Sequence, residues 1–138
     1  MYDFKAVEEE ILEFWSKNSI YSKAKEKNKG KKKFYYLDGP PYTSGRIHLG
    51  HAWGKALRDL VMRYKRMQGF DVWDRSGFDM HGLPIEVQVE KKLGFEDKRE
   101  IISKLGIAKF IEECEKYAIE QMHPMIKDFK RIGVWMDW

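Results

Sequence analysis

A chain of 138 residues, 43% of them hydrophobic and 35% charged, carries enough apolar mass for one ordinary domain with a core, which excludes a disordered segment. No apolar run approaches the roughly 18 to 20 residues that span a bilayer, and the first residues lack the basic, apolar and small-residue series of a signal peptide, so a cytoplasmic protein with no membrane partner is expected. The net charge of +4 permits a polyanionic partner without establishing one.

From Phe4 the apolar positions Phe4, Val7, Ile11, Leu12, Phe14 and Trp15 recur at helical spacing, with Glu8, Glu9, Glu10 and Lys17 on much of the other face. That pattern predicts an amphipathic N-terminal helix. Ser22 to Lys33 holds seven lysines and reads as a solvated connection; contact with a polyanion is the sharper alternative. Lys33-Phe-Tyr-Tyr-Leu37 predicts a strand that stops at Asp38-Gly-Pro-Pro, and an irregular turn then runs to about His48. Ala52, Ala56, Leu57, Leu60, Val61 and Tyr64 keep a helical period up to Gly69, and Phe70-Asp-Val-Trp-Asp74 predicts a second strand.

After Gly77-Phe-Asp-Met-His-Gly82 the signals are helical again. Pro84 suits a first helical position, and Ile85, Val89 and Leu93 share a face. Asp97 with Glu100 has capping-box spacing for a helix to Leu105-Gly106, and a long stripe from Ile107 to Phe129 predicts another. The single cysteine, Cys114, allows no disulfide; Glu113 and Glu115 beside it would raise its pKa, so it reads as a small core residue.

Strand, turn, helix, strand is a βαβ unit, whose crossover is nearly always right-handed with parallel strands, so the expected fold class is α/β. Two strands make a small parallel sheet with faces and edges to cover, and the chain reads as a piece of something longer that could self-associate.

In open α/β sheets ligands bind beyond the carboxyl ends of the strands, where the stretch from Asp38 to His51 falls. A helix N-terminus there suits phosphate oxygens, and His48 and His51 would add two donors on one side. Gly50 leaves room for a flat ring to approach the backbone. Satisfied structural histidines are the plain alternative. No third ligand stands at motif spacing for a metal, so no zinc site is expected, and the glycines fit neither the dinucleotide fingerprint nor the P-loop. Asp79 follows the second strand and could hold an ammonium group or cap the next helix; His81 could orient it or contact a substrate.

The stretch Gly39-Pro-Pro-Tyr-Thr-Ser-Gly-Arg-Ile-His-Leu-Gly-His51 resembles the HIGH signature of class I aminoacyl-tRNA synthetases, with Leu49 for the name-giving isoleucine. Arg63-Tyr-Lys-Arg-Met-Gln-Gly69 is similar to the subgroup that handles isoleucine, valine and leucine. Within it, Gly77-Phe-Asp-Met-His-Gly-Leu-Pro-Ile-Glu86 resembles the isoleucyl pattern, with Phe78 at an aromatic position, and Phe129 to Trp138 is similar to the segment before that family's inserted editing domain.

The resemblance covers the whole chain, most strongly from about Phe34 to Gly94. It implies the first half of a Rossmann-like nucleotide-binding fold in the N-terminal part of a synthetase catalytic domain: 1–33 as N-terminal helix and Lys-rich connection, 34–94 as the βαβ core, and 95–138 as a helical segment leading to an editing insertion. The editing, KMSKS and anticodon-binding parts of such an enzyme, and any zinc site, are expected outside these residues. The implied activity is ATP-dependent activation of L-isoleucine, with Mg2+, and its ligation to tRNA(Ile). On that pattern His48 and His51 are catalytic and bind the ATP phosphates, Gly50 lies against the adenine, Pro40 shapes the amino-acid pocket, and Asp79, with Tyr42 beside it, receives the substrate ammonium. A non-catalytic homologue that binds tRNA or a protein is the competing expectation.

Overall fold

The computed structural model describes residues 3–138. They form two compact units, each assembled from separated segments: the first takes the chain up to Asp38, Ala52–Ser76 and Phe129–Trp138, and the second takes Gly39–His51 and Gly77–Asp128. The fold is mixed α/β and mostly helical, and among the described residues no helix is long and apolar enough to cross a membrane.

In the first unit, Asp3 starts helix α1 (Phe4–Lys17) by accepting from the backbone N–H groups of Lys5 and Ala6 at 3.0 and 3.2 Å. The first half of the Lys-rich stretch expected as a connection is a second helix, α2 (Ile20–Lys27). What the lysine count hid is an anchor just beyond it: Asn28 is buried and donates through Nδ2 to the Arg66 carbonyl at 2.7 Å, which ties the end of α2 inward.

Strands β1 (Lys33–Tyr35) and β2 (Asp71–Trp73) pair in parallel, in the register Lys33 to Asp71, Phe34 to Val72 and Tyr35 to Trp73, with helix α3 (Leu49–Met67) between them in the chain. The predicted βαβ order is therefore present. Each strand is shorter than the aromatic runs suggested, although the Tyr36 N–H still reaches the Trp73 carbonyl at 3.3 Å. The core is Met62, Val72, Val134 and Met136, with Phe34, Tyr36, Phe70 and Trp138 packed around it.

Helix α3 buries a face that hydrophobicity does not mark. Its buried residues are Lys55, Asp59, Met62 and Arg66, whereas Trp53, Leu57, Leu60 and Tyr64 are exposed. Each buried charge has a partner, without which burial would be prohibitive. Lys55 and Arg58 both pair with Asp38; Asp59 accepts from Arg63 Nε at 2.6 Å and from the Trp135 N–H at 3.0 Å; Arg66 pairs with Asp74, whose two oxygens also accept from the Tyr21 hydroxyl at 3.0 Å. Burial and the Asp74 charge push the Tyr21 pKa far above its ordinary value.

In the second unit, helix α4 (Leu83–Leu93) is capped at its end by Gly94, whose φ of +74° admits a left-handed turn that a side chain would strain. Ile85 and Val89 of α4 pack against Ala118 of helix α6 (Ile107–Arg131), with Met80, Leu93, Phe110, Cys114 and Tyr117 around them. Between these helices lies the short helix α5 (Lys98–Glu100), which runs into a π-helical turn at Ile101–Leu105. The expected capping box is offset. Asp97 Oδ1 caps the Arg99 N–H at 2.8 Å, but Glu100 Oε2 reaches back to the Glu96 N–H at 3.2 Å, one residue before the cap.

Candidate active site

The second unit contains every residue that the sequence singled out for chemistry: Pro40, Tyr42, His48, Gly50, His51 and Asp79. Two irregular segments run side by side within it. The Asp79 N–H donates to the Pro41 carbonyl at 2.9 Å and the Thr43 N–H to the Asp79 carbonyl at 3.1 Å, a parallel bridge between Tyr42 and Asp79. Gly77 passes beside Pro40, where a Cβ on the glycine would lie 3.9 Å from the proline Cβ.

Backbone pairing thus fixes Asp79, and capping is not its role. Helix α4 begins with Gly82 as its N-cap and has no side-chain cap hydrogen bond. The Asp79 Oδ1 atom is buried and makes no hydrogen bond, with His81 Nε2 at 3.6 Å, too long to count as one. On the same carboxylate, charge and a hydrogen bond hold the Tyr42 hydroxyl pKa above its ordinary value. Buried carboxylate oxygens are rarely left so; this one suits an incoming cationic donor. Close by in the chain, Thr43 is fully buried and its hydroxyl also lacks a partner.

His48 immediately precedes α3 and His51 lies in its first turn. The two rings stack, with centroids 3.8 Å apart and planes 21° apart. Each turns Nδ1 toward the backbone: His48 Nδ1 accepts from the Gly50 N–H at 3.1 Å, and His51 Nδ1 accepts from the His48 N–H at 3.4 Å. In the neutral rings the remaining proton is then on Nε2. Burial, and secondarily the neighbouring His48, hold the His51 pKa below the ordinary histidine value of 6.5.

This geometry alters the account of the helix terminus. Of the first N–H groups of α3, that of Gly50 is engaged by an imidazole nitrogen, as is the His48 N–H just before the helix, and the Nε2–H groups add outward-facing donors beside the helix terminus. Gly50 has a use that its position alone did not reveal: a Cβ there would stand 3.0 Å from His48 Cε1 and 3.1 Å from His48 Nδ1, so the glycine also makes room for the His48 imidazole.

Residues outside the signature hold the loop as well. Arg46 makes a two-point ion pair with Asp128 of α6, with Nε to Oδ2 at 2.6 Å, and the Tyr117 hydroxyl donates to the Ser44 carbonyl at 3.2 Å. Neither Tyr117 nor Asp128 carries a sequence signal, because both read as ordinary positions on a long amphipathic helix. Cys114 is half-buried, and burial, with Glu86, Glu90 and Glu113, raises its pKa. Among the described residues no group of three or more histidine, cysteine, aspartate or glutamate side chains is placed to hold a metal ion.

The family described as "tRNA synthetases class I (I, L, M and V)" matches residues 10–138 of the chain. The chain belongs to this family. It is 58% identical over 137 residues to an isoleucine–tRNA ligase of Archaeoglobus fulgidus and 51% identical over 137 residues to one of Pyrococcus abyssi; each alignment takes in 99% of the chain and 13% of the relative. The chain therefore spans about an eighth of the length of these curated relatives. Its fold is similar to that of a LeuRS of Agrobacterium radiobacter K84, solved in a ternary complex with tRNA and LeuAMS, at a TM-score of 0.71 and 24% identity, over 100% of this chain and 15% of that one. A class I synthetase with this likeness accords with a Rossmann-like start to the nucleotide-binding fold.

Proposed function

We propose that the chain is the part of an isoleucine–tRNA ligase that takes ATP and the amino acid. One observation carries the reading: two stacked imidazoles with Nδ1 held by backbone N–H groups, in the same compact unit as a carboxylate with an unengaged buried oxygen. The similarity to isoleucine–tRNA ligases supports the choice of amino acid.

In the proposed reaction an isoleucine carboxylate oxygen attacks the α-phosphorus of ATP as the bond to pyrophosphate breaks, giving isoleucyl-adenylate. A hydroxyl of the terminal ribose of tRNA(Ile) then attacks the acyl carbon, and AMP leaves as the acyl–phosphate bond breaks. Such chemistry asks the protein for position and charge stabilisation. His48 and His51 would donate from Nε2 to phosphate oxygens as charge develops, Gly50 would keep the helix start open to the adenine and to the His48 ring, and Asp79 would take the substrate ammonium with Tyr42 beside it and Pro40 at the pocket wall. Mg2+ would arrive with the ATP phosphates. The setting would be the cytoplasm, where translation runs. On this reading 34–94 is the βαβ core of a catalytic domain, and 1–33 and 95–138 are its flanks.

A second reading, a non-catalytic homologue that binds tRNA or a protein, is favoured by the exposed apolar row on α3, with Trp53 at 66% and Leu60 at 66% exposure. ATP–pyrophosphate exchange dependent on isoleucine, measured in a full-length ligase carrying this chain, separates the two. Exchange supports the first; salt-sensitive tRNA binding without exchange supports the second.

A further inference from the structure

Two side chains of α6 reach the loop that precedes His48. Tyr117 and Asp128 are eleven residues apart in sequence, which brings them to about the same face of an α-helix after three turns. The Tyr117 hydroxyl holds the Ser44 carbonyl at 3.2 Å. The Asp128 carboxylate accepts two hydrogen bonds from Arg46, and the next backbone N–H, that of Ile47, also bears on it; the Arg46 hydrogen bond is the main cause, and Ile47 a smaller one, of an Asp128 pKa below the usual carboxylate range. Three of the four residues before His48, namely Ser44, Arg46 and Ile47, are thus tethered to one helix, on either side of its Pro124.

Their exposures point to position rather than stability. The Arg46 side chain is 69% exposed while Asp128 is 16% exposed. An ion pair so placed adds little to folding. Its two-point geometry together with a backbone N–H, however, fixes the orientation of the chain just before the histidines, and misplacement of a reacting group by an ångström is enough to lower rates steeply.

We propose that Asp128 and Tyr117 are positioning residues that set the His48 imidazole for adenylate formation by holding the Ser44–Ile47 backbone against α6. The inference deepens the ATP-site reading above and rests on it. Neither residue touches the reacting atoms; both act through His48.

The test is a set of double-mutant cycles in a full-length ligase carrying this chain, read by isoleucine-dependent ATP–pyrophosphate exchange. Asp128→Asn and Tyr117→Phe each keep the shape of the side chain, and Tyr117→Phe keeps its packing against the Ile85, Val89 and Ala118 cluster. Each is expected to lower kcat by about 10- to 100-fold for Asp128→Asn and less for Tyr117→Phe, with the isoleucine KM nearly unchanged. In a His48→Ala background both effects should vanish, because the group they position is gone. Unchanged kcat, a rise in isoleucine KM alone, or effects that persist in full beside His48→Ala would overturn the inference while leaving the ATP-site reading intact. A His48→Ala variant as fast as wild type would sink both.

Discussion

The imidazoles of His48 and His51 lie face to face, 3.8 Å between centroids, and each gives Nδ1 to a backbone N–H of the same short segment. The pair is therefore a fixed donor array rather than two mobile side chains. His51→Ala in a full-length ligase should slow adenylate formation by about 100-fold, the scale of losing one donor in a preorganised site, at roughly 3 kcal/mol. Single-turnover formation of isoleucyl-adenylate measures this, and a rate within about threefold of wild type would refute the role.

The depressed pKa of His51 also gives a pH dependence with a definite sign. Its ordinary value is 6.5 and its native value lies lower, so below pH 6.5 the unfolded chain binds the proton first. The contribution of His51 is fully present above that value and is lost as pH falls through the lower native one. Thermal melting of this chain from about pH 8 to about pH 5 should show a steeper loss for wild type than for His51→Gln.

Gly50→Ala separates catalysis from folding. Alanine is the better helix former by about 1 kcal/mol, so melting should hold or rise slightly. Yet its Cβ would meet His48 Cε1 at 3.0 Å and Nδ1 at 3.1 Å, and the ring would have to leave the Gly50 N–H. Exchange activity should fall toward that of His48→Ala. An active Gly50→Ala would mean that the stacked pose is dispensable.

Within the first unit, Lys55 and Arg58 both pair with the buried Asp38. The Lys55 ammonium also lies 5.3 Å from the Phe129 ring centroid and 5.9 Å from that of Trp138. Asp38→Ala strands a buried cation and should cost about 3–5 kcal/mol in urea unfolding, whereas Asp38→Asn with Lys55→Met should recover much of it. A double variant no more stable than Asp38→Ala would contradict that account.

The uncovered row of Trp53, Leu57, Leu60 and Tyr64 on α3 should make this chain associate at high concentration. Leu60→Glu with Tyr64→Glu should shift sedimentation toward monomer, while a wild-type chain that stays monomeric throughout removes the premise.

How much could be read from the sequence varied with how local the physics was. The βαβ order was legible because aromatic runs, turn residues and helical periods are written along the chain, and α3, β2, α4 and α6 lie where those signals put them. Helix α2 was missed because its lysines resemble a solvated linker, and nothing local announces that Asn28 will be buried against Arg66. The broken helix around Ile101 was missed for a related reason: capping-box spacing between Asp97 and Glu100 does not specify which N–H each carboxylate reaches.

The sequence by itself determined which residues stand at the start of α3 and after β2, and so marked His48, Gly50, His51 and Asp79, because their chemistry and their distance from the ends of elements are properties of the chain. Only the tertiary structure decided how they present themselves. It turned the Nδ1 atoms inward, filled the space at Gly50 with a histidine ring, paired Asp79 with Tyr42 and left one carboxylate oxygen unengaged. It also buried the charged face of α3 and brought Tyr117 and Asp128 to a loop some seventy to eighty residues away. Those outcomes depend on long-range partners satisfying buried polar groups, and a pairing between distant residues leaves no period in the sequence.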